Sequence, residues 1–290
     1  MSRLIVLAVV AAAALPLSAG NVPAEGTELV APKVAPLPTV DGKADDAAWA
    51  QAKELVVRIG KPDELDNPKH KISLKAVHDG DSICFLLVWE DKKKNDEHLP
   101  FVWKESDGEY VPDDEKIEDA CSLGFALEGE FNPDMLAGVE SKWDVWEWQA
   151  GRTTNGYALD KTHIYSRQRP EGVKSKRFQD RQEKPIFLAR PDDAGTPAWK
   201  RLEPPTEKKG PKLPQFEPQT PSGSAADVQA RGVWADGKWT VEFKRKLNTG
   251  HKDDAVFATG KAIEFAVAVF DETEHSDHDV SGKLILKLQP

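Results

Sequence analysis

The sequence is poor in sulfur, in clustered positive charge and, past its first twenty residues, in long apolar runs. There are 2 cysteines and 2 methionines among 290 residues. Cys84 and Cys121 stand far apart, and neither belongs to a C-x-x-C-H haem-attachment motif or a zinc pattern, so covalent c-type haem attachment is excluded. Both lie in apolar strand-like runs, SICFLLVW and ACSLGFAL, where one disulfide or two buried free thiols are equally compatible with the residues. Lys and Arg number 39 against 49 Asp and Glu, a formal net charge of -10. That balance argues against nucleic acid and against an anionic membrane surface, both of which reward clustered cations. No segment after the first twenty residues could cross a bilayer as a helix, so membrane insertion is not expected. A nucleophile elbow, a glycine-rich phosphate loop and an H-E-x-x-H motif are all missing. His70, His78, His98, His163 and His251 are scattered. An enzyme acting alone is therefore disfavoured.

The chain opens with Arg3, an unbroken apolar run from Leu4 to Leu15, then Pro16 and the small residues Ser18, Ala19 and Gly20. This order predicts a secretory signal peptide over residues 1–20, cleaved near Ala19 or Gly20, with a buried helix or a retained anchor as the alternative. Cleavage would remove one positive charge, Arg3, and take the formal charge from -10 to -11. About 270 residues would remain, enough for one large β domain.

Period-two or continuous apolar runs bounded by Gly, Asp and Pro predict strands over Lys71–His78, Ser82–Glu90, Cys121–Leu127 and Trp143–Ala150. A later set covers Gly232–Ala235, Trp239–Lys244, Ala262–Phe270 and Leu284–Leu288. Asp79-Gly80 and Asp236-Gly237 mark tight turns, and VDGKADDAAWAQAKEL contains a short helical piece with Trp49. Many short strands and little helix indicate an antiparallel β-sandwich, a mainly β fold of one domain over residues 21–290. Residues 166–226 differ in character: ten prolines stand there among charged residues and glycines. This composition reads as a long proline-rich insertion lying over the sandwich without a core of its own, either disordered or clamping a ligand.

Three features could carry chemistry. Met135 is the single methionine after Met1 and sits in the loop-like stretch FNPDMLAGVES; it is either a packed side chain or a soft thioether ligand for iron or copper. In WDVWEWQAGRTTNGYALD, period-two geometry puts Trp146 and Trp148 on one face and Trp143 on the other, as core or as flat walls for a porphyrin or a sugar. In ETEHSDHDVSG, His275, Asp277, His278 and Asp279 crowd one turn, either solvated or bearing a metal-ligating imidazole.

The order VDGKADDAAW, FLLVWED, EDACSLGFAL, M-x-G-x(4)-WDVWEWQAGRTTNGYALD, GKWTVEFKRKL, IEFAVAVFD and HDVSGKLILKL resembles the haem-binding domain of the ethylbenzene dehydrogenase gamma-subunit family. The resemblance implies an immunoglobulin-like β-sandwich holding one non-covalent b-type haem per chain, with methionine and lysine as axial ligands. Met135 falls on the methionine position. His278 stands where the family has its lysine, and Lys283 is the fallback should the register slip. On this reading Trp146 and Trp148 form the apolar pocket, Arg152 or Lys142 pairs with propionates, and the thioether gives a high reduction potential. The resemblance implies a periplasmic electron-transfer protein or subunit of a larger oxidoreductase. Its partner would be a redox protein, a molybdenum oxidoreductase or a c-type cytochrome. The rival reading is a carbohydrate-binding module that presents exposed Trp143, Trp146 or Trp148 to a sugar.

Overall fold

A computed structural model of the protein describes residues 27–61, 70–271 and 278–290. The leader 1–20 and its cleavage point lie outside the described residues, as do His275 and Asp277. Strands in chain order are β1 (Glu28–Ala31), β2 (Leu55–Gly60), β3 (His70–His78), β4 (Ser82–Glu90), β5 (Phe101–Lys104), β6 (Glu109–Pro112), β7 (Ala120–Gly129), β8 (Ser141–Gln149), β9 (Leu159–Ser166), β10 (Ser175–Gln179) and β11 (Pro185–Ala189). Five short strands follow: β12 (Gly195–Thr196), β13 (Trp199–Arg201), β14 (Lys212–Leu213), β15 (Phe216–Pro218) and β16 (Ser222–Gly223). The chain ends with β17 (Gln229–Ala235), β18 (Lys238–Lys246), β19 (Ile263–Phe270), β20 (Asp279–Ser281) and β21 (Leu284–Leu288). Helical structure among the described residues is confined to 3-10 turns at Ala47–Gln51, Met135–Ala137 and Ser224–Ala226, and no helix is long and apolar enough to cross a membrane.

The local chemistry sets the hairpins. Asp79 Oδ1 accepts from the backbone N–H groups of Asp81 and Ser82, both at 2.8 Å, and closes the β3–β4 turn. Asp236 and Gly237 both take positive φ, 52° and 73°, the conformation a two-residue hairpin between right-twisted strands demands.

One sheet runs β10-β11-β9-β8-β7-β19-β20-β2-β3-β4-β18-β17, with β21 on β19 and β1 on β21. The sheet pairs are antiparallel except β1 with β21, which run parallel and tie the two ends of the described chain together. Ring contacts show how the sheet folds over itself. Phe85 on β4 meets Phe125 on β7 and Trp146 on β8 at 5.6 and 5.7 Å between centroids, and Trp148 meets Trp239 of β18 at 4.8 Å. These strands lie far apart along the sheet, so its two halves face each other as a sandwich, and their inward side chains form the main core.

The insertion is ordered, and its buried residues Ile186 and Leu188 join a cluster with Phe131, Trp143, Val145 and Tyr165 rather than a core of their own. Between 166 and 226 it forms β10 to β16, and Ile186, Leu188, Ala189 and Ala198 are buried. The reason is the short alternating run PIFLA, which pairs β11 onto β9 and so extends the main sheet. Cys84 and Cys121 are buried free thiols rather than a disulfide. Burial raises the Cys84 thiol to about 12 and pushes Cys121 well above its ordinary value, which leaves both unreactive.

The two layers meet closely at Gly232 on β17, where a Cβ would stand 2.2 Å from the Trp148 ring. Gly232→Ala is therefore expected to cost about 1–3 kcal/mol through overpacking, read as a lower urea midpoint with an unchanged slope.

Candidate cofactor cavity

The outer face of the β9-β8-β7-β19 sheet carries a cavity of about 300 Å³, at the lower end of the roughly 300–1,000 Å³ typical of small-molecule and cofactor sites. Strand periodicity builds it. On β8, Trp143, Val145, Glu147 and Gln149 line the cavity, whereas Asp144, Trp146 and Trp148 point the other way. On β7 the lining residues are Ala120, Ser122 and Gly124, with Cys121, Leu123 and Phe125 in the core. Ala266 and Ala268 of β19 continue the pattern. Five small side chains on adjacent strands thus leave a shallow floor, and larger residues rise around it.

This geometry corrects the sequence reading of the tryptophans. Trp146 is 0% and Trp148 3% exposed within the sandwich core, so neither walls the cavity; Trp143 and Trp199 do. Trp143 packs between Phe131 and Tyr165, each at 4.6 Å between centroids. It is 7% exposed, so none of the three tryptophans offers the open face that stacking on a sugar requires.

Met135 and His278 both line the cavity. Met135 starts the 3-10 turn Met135–Ala137, and local bonds hold that turn. Asp134 Oδ1 accepts from Leu136 N at 3.0 Å, and Asp134 Oδ2 accepts from Arg181 Nε at 2.9 Å. Gly138 ends the turn in the left-handed region, φ 70°, where a Cβ would collide with the Arg167–Asp180 ion pair. Arg167, Asp180 and Arg181 belong to the insertion, so this segment fixes the methionine loop. His278 precedes β20 and stacks on Phe270, with ring centroids 4.9 Å apart and planes at 23°. Lys283 lies elsewhere: it is exposed and paired with Glu264 at 2.9 Å, and it does not line the cavity.

A residue the sequence reading passed over is His163 of β9. It lines the cavity, and its Nε2 is buried without a hydrogen-bond partner. Burial, with Arg190 and Lys161 nearby, pushes the imidazole well below its ordinary pKa, so it stays neutral. The alternation of β9 puts it there, with Leu159, Lys161 and Tyr165 lining the cavity beside it.

Charges at the rim are mostly committed to one another. Arg152 lines the cavity, but its Nε binds Glu118, and its guanidinium lies 5.0 Å over the Trp199 ring and 5.1 Å over Phe216. Lys142 pairs with Glu128 at 2.8 Å on the outside and does not reach the cavity. Arg190 lines the cavity with a buried Nε that has no partner. Lys161 Nζ binds Glu147 Oε2 at 2.7 Å, Gln149 Nε2 binds Glu147 Oε1 at 2.5 Å, and Trp199 Nε1 binds Gln149 Oε1 at 2.8 Å. Burial opposes ionisation of Glu147, but the Lys161 ammonium outweighs it and holds the carboxyl well below the usual glutamate range.

A β-sandwich with a cavity on the outer face of one sheet, lined by a thioether, three imidazoles (His98, His163 and His278) and aromatic rings, defines a cofactor- or ligand-binding sandwich. A family model described as ethylbenzene dehydrogenase matches residues 46–281, a span that includes the whole cavity, and the chain belongs to that family. Solved structures with a related outline include a carbohydrate-binding module of family 9 from Caldicellulosiruptor kristjanssonii in complex with cellotriose. It is 8% identical, with a TM-score of 0.40 over 90% of this chain and 93% of that one. Another is a putative carbohydrate-binding protein from Bacteroides uniformis, 9% identical, with a TM-score of 0.43 over 91% of this chain and 100% of that one. Neither likeness is close enough to carry an inference. No curated protein matches the sequence.

The Lys161–Glu147 pair yields a pH-dependent expectation. Because the folded Glu147 is held low, its contribution to stability is present above the ordinary glutamate pKa and is lost progressively as pH falls from there toward the depressed folded value. Lys161→Met, which leaves the carboxylate without its cation, is expected to cost about 3–5 kcal/mol at neutral pH. The gap from the unsubstituted protein should narrow below about pH 5, where Glu147 of the variant takes up a proton, as read from thermal melts across pH.

Proposed function

We propose that this chain is a periplasmic electron-transfer protein or subunit that holds one b-type haem non-covalently in the cavity, with Met135 and His278 as the axial ligands. The observation that carries the reading is the convergence of these two side chains, distant in sequence, on one cavity whose floor is built from small residues. The donor set fits: a thioether and a neutral imidazole are both ordinary iron ligands. The floor of Ala120, Ser122, Gly124, Ala266 and Ala268 suits a flat macrocycle, and Trp143, Tyr165 and Phe270 supply apolar contact around it.

Met135 and His278 would hold the iron between them, and haem bound there would supply reversible one-electron transfer without a substrate at the metal. The chain's own residues hold, orient and dry the site. Asp134 and Arg181 fix the methionine loop; Phe270 fixes the plane of His278 by stacking. Arg190, with a donor still to satisfy, is better suited to a propionate carboxylate than Arg152, which is held by Glu118. Trp199, from the insertion, covers one side and excludes water. Neutral ligands in an apolar surround disfavour the extra positive charge of the ferric state and raise the potential. The expected partner is another redox protein, a molybdenum oxidoreductase or a c-type cytochrome. An acidic chain at -10 would dock on a basic patch of it. Location in the periplasm rests on the leader, residues 1–20.

The exported protein, purified from haem-replete cells, should show about one haem per chain and, on adding dithionite, a sharp α-band of the b type. Met135→Ala should shift or remove that band, and His278→Ala should weaken haem retention. Ala268→Phe, which fills the floor, should abolish binding while the far-ultraviolet circular dichroism stays unchanged. A colourless unsubstituted protein would overturn the reading.

A further inference from the structure

On the opposite side of β8 and β9 from the cavity, three aspartates crowd together inside the protein. Asp144 on β8, Asp160 on β9 and Asp254 in the loop between β18 and β19 are 0%, 1% and 3% exposed, and each offers a carboxylate oxygen within 4.8 Å of the other two. One buried cation stands beside them, and the exposed His251 approaches Asp254 Oδ2 only to 3.9 Å. Arg245, 1% exposed, donates Nη1 to Asp144 at 2.5 Å and to Asp254 at 2.9 Å, and its Nη2 to the Ala255 carbonyl. Asp160 has no such donor: both of its carboxylate oxygens are buried without a hydrogen-bond partner. Three carboxylates against one guanidinium leave two negative charges uncompensated in a dry interior. A fourth aspartate, Asp193, 6% exposed, gives its backbone N–H to the Asp160 carbonyl at 3.0 Å and adds to the same field.

Burial of that kind is too costly to persist without a compensating partner. Two solutions exist: the cluster takes up protons, or it takes up a cation. A single proton bridges at most two of the oxygens that lie without partners on Asp144, Asp160 and Asp254. A cation satisfies them at once.

We infer that Asp144, Asp160 and Asp254 form a structural divalent-cation site, distinct from the cofactor cavity, and that its occupant is calcium. The donors are carboxylate oxygens alone, with no sulfur or nitrogen, which selects a hard cation over zinc or copper. Oxygens mutually within 4.8 Å can share one ion at roughly the 2.3–2.6 Å of calcium–oxygen bonds. A double positive charge cancels the uncompensated pair. The ion would pin the loop carrying Asp254 to β8 and β9, and so brace from behind the two strands that supply Trp143, Glu147, Lys161 and His163 to the cavity.

The test uses the full chain without its leader. Protein exchanged into calcium buffer and desalted should retain about one calcium per chain by elemental analysis. Thermal melts should rise by roughly 5 °C or more on adding millimolar calcium to EDTA-treated protein, with a smaller response to magnesium. Asp160→Asn, which keeps the shape and removes one charge, should lose both the retained calcium and the calcium-dependent rise. Its melting temperature in EDTA should equal or exceed that of the unsubstituted protein. Absence of retained metal together with melts insensitive to calcium, magnesium, manganese and zinc would overturn the inference. A melt raised by Asp160→Asn alone, with the unsubstituted protein indifferent to metal, would assign protons to the cluster and overturn it equally. These readouts use stability and metal content, so they stand apart from the haem spectrum.

Discussion

The two-residue repeat of an extended strand is the constraint on which this structure depends. On β8 every side chain must face either the sandwich core or the outer cavity, and the strand is the shared wall of both. Its even positions send Asp144, Trp146 and Trp148 inward; its odd positions send Trp143, Val145, Glu147 and Gln149 outward. Because β7 and β19 keep the same parity, one shift of register would bring Phe125 and Phe265 to the cavity floor and expel Ala120 and Ala268 into the core. The core and the cavity are therefore specified together. The fully buried Phe85, Phe125, Trp146 and Phe243 lock the register that the floor requires.

Depth on that outer face comes from what is added above it. An antiparallel sheet face covered only by solvent would be a flat surface; here the methionine loop and the insertion rise around the small floor residues. The insertion does two jobs with few residues. Its β11 extends the sheet beside β9, and Asp180, Arg181 and Arg167 tie down the loop that holds Met135. Trp199 then leans over Arg152 and bonds to Gln149, so the roof is fixed to the floor strand itself. A long proline-rich stretch pays for its order here through sheet extension and ion pairing rather than through a separate core.

The strands themselves were legible in the sequence. Runs such as SICFLLVWE and LILKL carry their own bounds, and β4 and β21 occupy Ser82–Glu90 and Leu284–Leu288 as the pattern predicts. The hairpin at Asp79-Gly80 follows from turn chemistry alone. The cavity was only half legible. Met135 and His278 stand out through rarity and through a family pattern, and both face it. The tryptophans misled because parity tells which residues share a face but not which face is buried twice over. Trp146 and Trp148 fill the space between the layers, and the outward Trp143 takes the cavity wall. His163 and the alanine floor were invisible for a different reason. Small residues carry no hydrophobic signal, and a single histidine acquires meaning only when neighbouring strands fix what it faces. The sequence left the order of the insertion open, because composition averages over a stretch in which four or five well-placed apolar residues suffice. The parallel pairing of β1 with β21 joins segments from opposite ends of the described chain, beyond the reach of any local pattern.

Parity also decides what kinds of donor the cavity can present. Cys121 stands on β7 between Ala120 and Ser122, both of which line the cavity, yet its thiol lies on the other face, 0% exposed and held far from ionisation. A thiolate ligand is thus excluded from this site by the same alternation that supplies its floor. The soft and borderline donors that remain carry no negative charge: the Met135 thioether and the imidazoles of His98, His163 and His278. Of the carboxylates that line the cavity, Glu147 is committed to Lys161 and Glu118 to Arg152, and burial disfavours the charged form of Asp192. A metal centre held there would receive no anionic ligand from the protein, so each added positive charge on it would be borne in an apolar surround with little compensation. That asymmetry favours the reduced state of any redox metal the site accepts, and it follows from which side of one strand each side chain occupies.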